Sequence, residues 1–143
     1  MEQRIEFLAG DDALEVEERR KWVREHFEPE AQHKYETIED KLRLLKIILK
    51  ERWIEPHETW KLQSLGITFG DILLQKLNLL WVMVEDEHGR DPALIVPGTS
   101  IIVYPLTVIS KRIERGESVD IQDLYEGLCA LVDKRKALEE PLQ

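Results

Sequence analysis

The residues of this chain best suited to chemistry fall in two short blocks. Asp86-Glu87-His88, followed by Arg90 and Asp91, gathers three carboxylates, an imidazole and a guanidinium within six residues. Carboxylate oxygens and an imidazole nitrogen are donors that a divalent cation accepts. Their spacing does not fit a helix-loop-helix calcium site, which needs oxygen donors alternating over about twelve residues with a closing Glu. The plain alternative is a solvated hairpin tip. The second block, Lys111-Arg112-Ile113-Glu114-Arg115, sets three cations within five residues of a chain whose formal charge is −9. At a helix C-terminus they complement the dipole and pair with Glu114 and Glu117. Pairing across the fold with Asp86 or Asp91 would instead build a polar centre near Trp81, open to a ligand or a partner. Trp81, Asp86, Arg90, Asp91, Lys111, Arg112 and Arg115 are therefore the candidate binding residues.

Other chemistries find less support. His26, His33 and His57 are scattered, with no two at i and i+4, so no metal site is expected. Ser64, Ser100, Ser110 and Ser118 stand in no Gly-x-Ser-x-Gly elbow. Cys129, the single cysteine, falls beside the apolar face of a helix and reads as a packed thiol. No Gly-x-Gly-x-x-Gly or phosphate-cradling loop occurs, which removes the usual nucleotide readings. No catalytic residue, cofactor or metal is expected, and whether the chain is an enzyme stays open, with a non-enzymatic role favoured.

The elements that must position these residues follow from periodicity and caps. Asp11 to Phe27 reads as a helix, with Leu14, Val23 and Phe27 as its apolar positions and Pro29 ending it. A second helix begins at Thr37-Ile38-Glu39-Asp40, a capping box with Asp in place of Glu, and runs through Ile38, Leu42, Leu45, Leu49 and Trp53. Its polar side carries Arg43, Lys46 and Lys50, read as a solvated face. A third covers Thr59 to Leu77. There Gly66 and Gly70 lie four apart, hence on one face, where they allow another element to pack close or expose backbone to a ligand. Leu79 to Val84 is short and apolar, as in a buried strand; Glu85 to Asp91 is a turn containing Gly89. Ala93 to Val96 and Ser100 to Tyr104 then complete a small antiparallel meander. A helix from Pro105 through Ile109 and Ile113 to Arg115 stops at Gly116, and a last one is capped by Asp120 and carries Ile121, Leu124, Leu128, Leu131 and Val132. The expected class is α+β, three helices, three strands and two helices in order. One domain spans residues 1–143, with an acidic helical part over 1–60 and a tail that frays over 137–143.

The central run resembles the bacterial domain-of-unknown-function 3806 family. The resemblance rests on Leu62-Gln63, Leu65-Gly66, Phe69-Gly70, Trp81, Asp86, Gly89-Arg90, Pro105 and the block Lys111 to Gly116, and covers residues 61 to 125. It implies a helix-plus-meander domain and supplies no catalytic residue.

Composition bounds the function. Leu, Ile, Val and Phe make up 45 of the 143 residues, enough for a core. No apolar run approaches the ~18 residues of a membrane span, and the start lacks a basic region before a greasy stretch, so a cytoplasmic location with no membrane partner is expected. Charge is uneven: −7 over residues 1–40, +3 over 41–80 and −5 over 81–143. An acidic surface repels phosphate backbones, which argues against nucleic acid and admits a basic protein partner. The expected function is a non-enzymatic, protein-binding domain, regulatory or immunity-like. The alternative is a small-ligand binder or enzyme built around Asp86, Asp91, Lys111 and Arg112.

Overall fold

In the computed structural model, which describes residues 2–139, the most apolar helix lies at the centre. Helix α3 (Thr59–Leu77) is buried at eleven of its nineteen positions, among them Leu65, Ile67, Phe69, Ile72 and Leu73. A helix apolar on every side needs cover on every side. Helices α1 (Gly10–Arg24), α2 (Ile38–Lys50), α4 (Ser110–Glu114) and α5 (Ile121–Glu139) all contact α3. The sheet supplies the remaining cover: Trp81 and Pro105 lie directly over Gly70.

The sheet has four antiparallel strands in the order β1 (Arg4–Phe7), β2 (Leu80–Asp86), β3 (Gly89–Ile95), β4 (Ile102–Val103). The class is α+β, with one strand more than the three expected. Strand β1 escapes a sequence reading because it is four residues long and every one of its side chains is exposed. Directly opposed residues share a face, so the register divides the sheet. Trp81, Leu94 and Val103 form one row of the inner face, against the helices. Three rows form the outer face: Ile5, Val84 and Asp91; Phe7, Val82 and Ala93; Leu80, Ile95 and Ile102. Pro92 sits inside β3 rather than before it, but β4 pairs only with Leu94 and Ile95, so at Pro92 the strand is itself an edge.

Several boundaries move for local reasons. Helix α1 closes at Arg24 because His26 and Phe27 donate back to Val23 and Arg24 in a tightened last turn, and Leu14 faces solvent. Pro29–Glu36, expected as a break, is a 3-10 helix that carries the buried Tyr35. Thr37 does cap α2, accepting from Asp40 N at 3.1 Å. That helix ends at Lys50: Arg52 takes a left-handed φ of +53° and Trp53 N donates to Ile48 O, so Trp53 swings off the apolar face into solvent. Residues 105–109 form turns rather than helix. Their backbone is held against Gly66, where a Cβ would meet Leu106 O at 2.4 Å and Pro105 O at 2.6 Å. The two glycines thus serve close packing, and neither exposes its backbone to a ligand. Helix α5 runs past Lys136 to Glu139, so residues 137–139 are helical, with Leu131 exposed; the rest of the expected fraying tail, 140–143, lies outside the described residues.

Candidate functional site

Asp71 is the one carboxylate in the nineteen residues of α3. A lone acid amid so many buried positions must find partners inside the fold, and it finds four donors. Arg20 of α1 makes a bidentate pair with it, Nε to Oδ2 at 2.7 Å and Nη2 to Oδ1 at 3.0 Å. The Tyr35 hydroxyl donates to Oδ2 at 2.6 Å, and the Trp81 indole Nε1 donates to Oδ1 at 3.0 Å. Gly70 makes the last contact possible, because a Cβ there would stand 2.5 Å from the Trp81 ring. Thr68 shares the Tyr35 hydroxyl at 3.0 Å, and the buried Lys41 ammonium donates to Tyr35 O while lying 4.9 Å from the ring centroid. Burial, and then the charge of Asp71, push the Tyr35 phenol far above its ordinary range. Burial pulls Lys41 down. Burial also works against the Arg20 charge, but the hydrogen bonds and charge of Asp71 more than offset it, so Arg20 stays firmly protonated. The centre joins α1, the 3-10 helix, α2, α3 and β2 at one point. With every acceptor site on Asp71 occupied from within, it is built to hold these elements together.

The sequence candidates distribute as follows. Trp81 is buried and belongs to this polar centre. Arg90, also on the inner side, binds Asp12 of α1 at 2.6 Å, Glu6 at 3.3 Å and Glu85 at 3.7 Å, which fastens the hairpin to β1 and α1. Asp86 accepts from His88 N at 2.8 Å and shapes the hairpin turn. Asp86 and Asp91 both raise the Tyr104 phenol after burial, placing all three groups near one another on the outer side. The cationic block pairs with the chain next to it: Arg112 donates to Val108 O, in the turn before α4, at 2.7 Å, and Arg115 pairs with Glu117, in the loop after it, at 2.9 Å. Among the described residues no ion pair joins Lys111, Arg112 or Arg115 to Asp86 or Asp91, and no group of three or more His, Cys, Asp or Glu is placed to hold a metal ion. Among the described residues no helix is long and apolar enough to cross a membrane.

The outer face has the opposite character. Val82, Val84 and Ala93 are buried and form a cluster of their own, joined by Ile95 and Ile102, to which no helix contributes among the described residues. Around it Phe7 is 81% exposed, and Ile5, Leu80 and Tyr104 are also exposed. Asp91 and Asp86 stand at one end of this apolar surface. A second aromatic group, Trp22, His26, Trp53 and Trp60, also reaches solvent, with Arg19 5.5 Å over Trp60 and Lys61 6.0 Å over Trp22.

The family model described as "Domain of unknown function (DUF3806)" matches residues 41–125, more than half of the chain. The chain belongs to that family. Within this DUF3806 protein the matched segment contains Lys41, Thr68, Asp71 and Trp81 but neither Arg20 nor Tyr35, so the polar centre ties the family segment to the residues that precede it. The structure is also similar to a crystal structure from Bacteroides thetaiotaomicron VPI-5482, determined at 1.50 Å resolution. The TM-score is 0.73 at 15% identity, over 90% of this chain and 48% of that one. That likeness is one of fold, and this chain spans about half the length of the other. No curated protein matched the chain.

Proposed function

We propose that this DUF3806 domain is a non-catalytic protein-binding domain that docks a basic partner on the outer face of its sheet. The observation that carries the reading is Phe7, an aromatic side chain 81% exposed on a face where Ile5, Leu80 and Tyr104 are exposed with it, around the buried Val82, Val84 and Ala93. Contiguous exposed apolar surface with a polar rim is the anatomy of a docking site, and aromatic anchors concentrate binding energy. Asp86 and Asp91 rim the face on a chain of net charge −9, which selects for cations around the partner's apolar anchor and steers its approach. The buried polar centre supports the non-catalytic half of the reading, since each donor around Asp71 is already engaged. A regulatory or neutralising role, exerted by covering a basic partner, follows from the same surface.

Affinity capture with the full chain at low salt tests the proposal, with the captured protein then purified and its affinity measured. The expected result is a stoichiometric basic partner that weakens with added salt, binds Asp91→Asn less tightly and is lost by Phe7→Asp. No stoichiometric partner, or one that binds Phe7→Asp as it binds the original chain, would overturn it.

A further inference from the structure

A separate cleft opens at the other side of the helical layer, between the C-terminal half of α2, the loop 51–58 and the loop that joins α4 to α5. Its volume is about 1100 Å³. Drug-sized ligands occupy sites of roughly 300 to 1,000 Å³, so the space admits a small molecule with an apolar body. The floor is apolar: Ile48, Leu62 and Ile121 are buried there, with Ile113 beside them. The rim carries three cations from one stretch of chain, Lys46, Lys50 and Arg52, in the only third of the sequence with a positive balance.

The three acids that share the cleft equal its cations in number, but two of them are engaged elsewhere. Glu117 is turned to Arg115, and Asp120 accepts from Asp123 N at 3.0 Å to cap α5. Glu55 is the third acid of the lining. Lys46 donates only to the neutral Gln122, and among the described residues neither Lys50 nor Arg52 forms an ion pair. Arg52 also occupies the left-handed position after α2, φ +53°, where glycine fits with least strain. That backbone conformation places Arg52 in the lining of the cleft.

We propose that this cleft binds a small amphipathic anion, a carboxylate attached to an apolar body, with Lys50 and Arg52 at the anionic end and the isoleucine floor under the body. A cationic rim on an otherwise acidic surface focuses an anion to this one place. Neither half of the ligand suffices: an alkyl chain alone leaves the cations unused, and a bare anion leaves the half-buried Leu49, Ile113 and Val119 of the lining uncovered.

Calorimetric titration of the full chain with octanoate, 1-octanol and acetate tests the pairing. Octanoate should bind saturably at one site, at least about ten-fold tighter than either the neutral alcohol or the short anion. Lys50→Glu with Arg52→Glu should weaken octanoate by about ten-fold or more, while Lys134→Glu and Phe7→Asp leave it unchanged. Arg52→Gly guards against misfolding as an explanation: it should hold or raise the melting temperature and still weaken octanoate. Equal binding of 1-octanol or acetate, saturable binding untouched by the charge reversals, or loss of binding in Phe7→Asp would each overturn the proposal.

Discussion

The two faces of the sheet are made by the same strands in the same register, and their side chains meet different fates. On the inner side Trp81 delivers an indole N–H to Asp71, which Arg20 and Tyr35 also reach, and Arg90 binds Asp12 and Glu6. On the outer side Val82, Val84 and Ala93 are buried with Ile95 and Ile102 packed against them, and Phe7, Ile5, Leu80 and Tyr104 are exposed around them. The chain therefore satisfies its buried polar groups from within and leaves these exposed apolar side chains to be satisfied from outside. Polar atoms in a core must be paired or the fold loses stability; an apolar surface can stay wet at modest cost until a partner arrives.

The sharpest way to break the inner half of the comparison is Trp81→Ala. It removes a buried aromatic ring and one donor to Asp71, and should cost about 3 to 5 kcal/mol in denaturant unfolding. An unchanged melting temperature would show β2 to be peripheral. Gly70→Ala tests the same contact from the other side. Its Cβ would press on the Trp81 ring at 2.5 Å and on Pro105 at 2.9 Å, and a loss of about 1 to 3 kcal/mol is expected.

Tyr35→Phe separates packing from hydrogen bonding at the centre. At neutral pH it should lose about 2 kcal/mol, because the hydroxyl donates to a carboxylate. Its pH dependence has a definite sign. The folded phenol holds its proton well above the ordinary value of 10.0, so above pH 10 the unfolded chain ionises first and stability falls; below pH 10 the contribution is complete. Chemical unfolding from pH 8 to 11 should show this decline in the parent and a shallower one in Tyr35→Phe, the remainder coming from Tyr104 and Tyr125, both also raised by burial. Equal slopes would remove Tyr35 from the buried network.

The smallest effects belong to the cationic block. Arg112→Ala deletes one hydrogen bond to Val108 O and should cost about 1 to 2 kcal/mol; Arg115→Ala breaks an exposed pair with Glu117 and should cost at most about 1 kcal/mol. A loss of several kcal/mol at Arg112 would assign it a structural role that its contacts do not display.

Legibility followed the strength of local signals. The Thr37 cap, the run Thr59–Leu77, the hairpin around Gly89 and the small-residue face of Gly66 and Gly70 could be read because cap chemistry and periodicity are local. The burial of Trp81 could be read as well. Its partner was missed, although Asp71 as the one acid on an apolar helix is a signal that a paired charge lies there. Arg20 and Tyr35 gave no such signal: they stand 51 and 36 residues before Asp71, and only the tertiary fold brings them to it. Strand β1 was missed because four exposed residues bury nothing that a periodicity could report, although two of them, Ile5 and Phe7, complete the outer face.

One side-by-side denaturant titration tests the division between the faces most directly: Asp71→Ala against Phe7→Asp. Asp71→Ala leaves Arg20 with only the half-exposed Glu17 and strips the buried Tyr35 and Trp81 of their acceptor, and should lose about 3 to 5 kcal/mol. Phe7→Asp places a charge where the side chain already faces water, and should stay within about 0.5 kcal/mol of the parent. A loss at Phe7 as large as that at Asp71 would make Phe7 part of this chain's own core and contradict the account, as would an Asp71→Ala protein as stable as the parent.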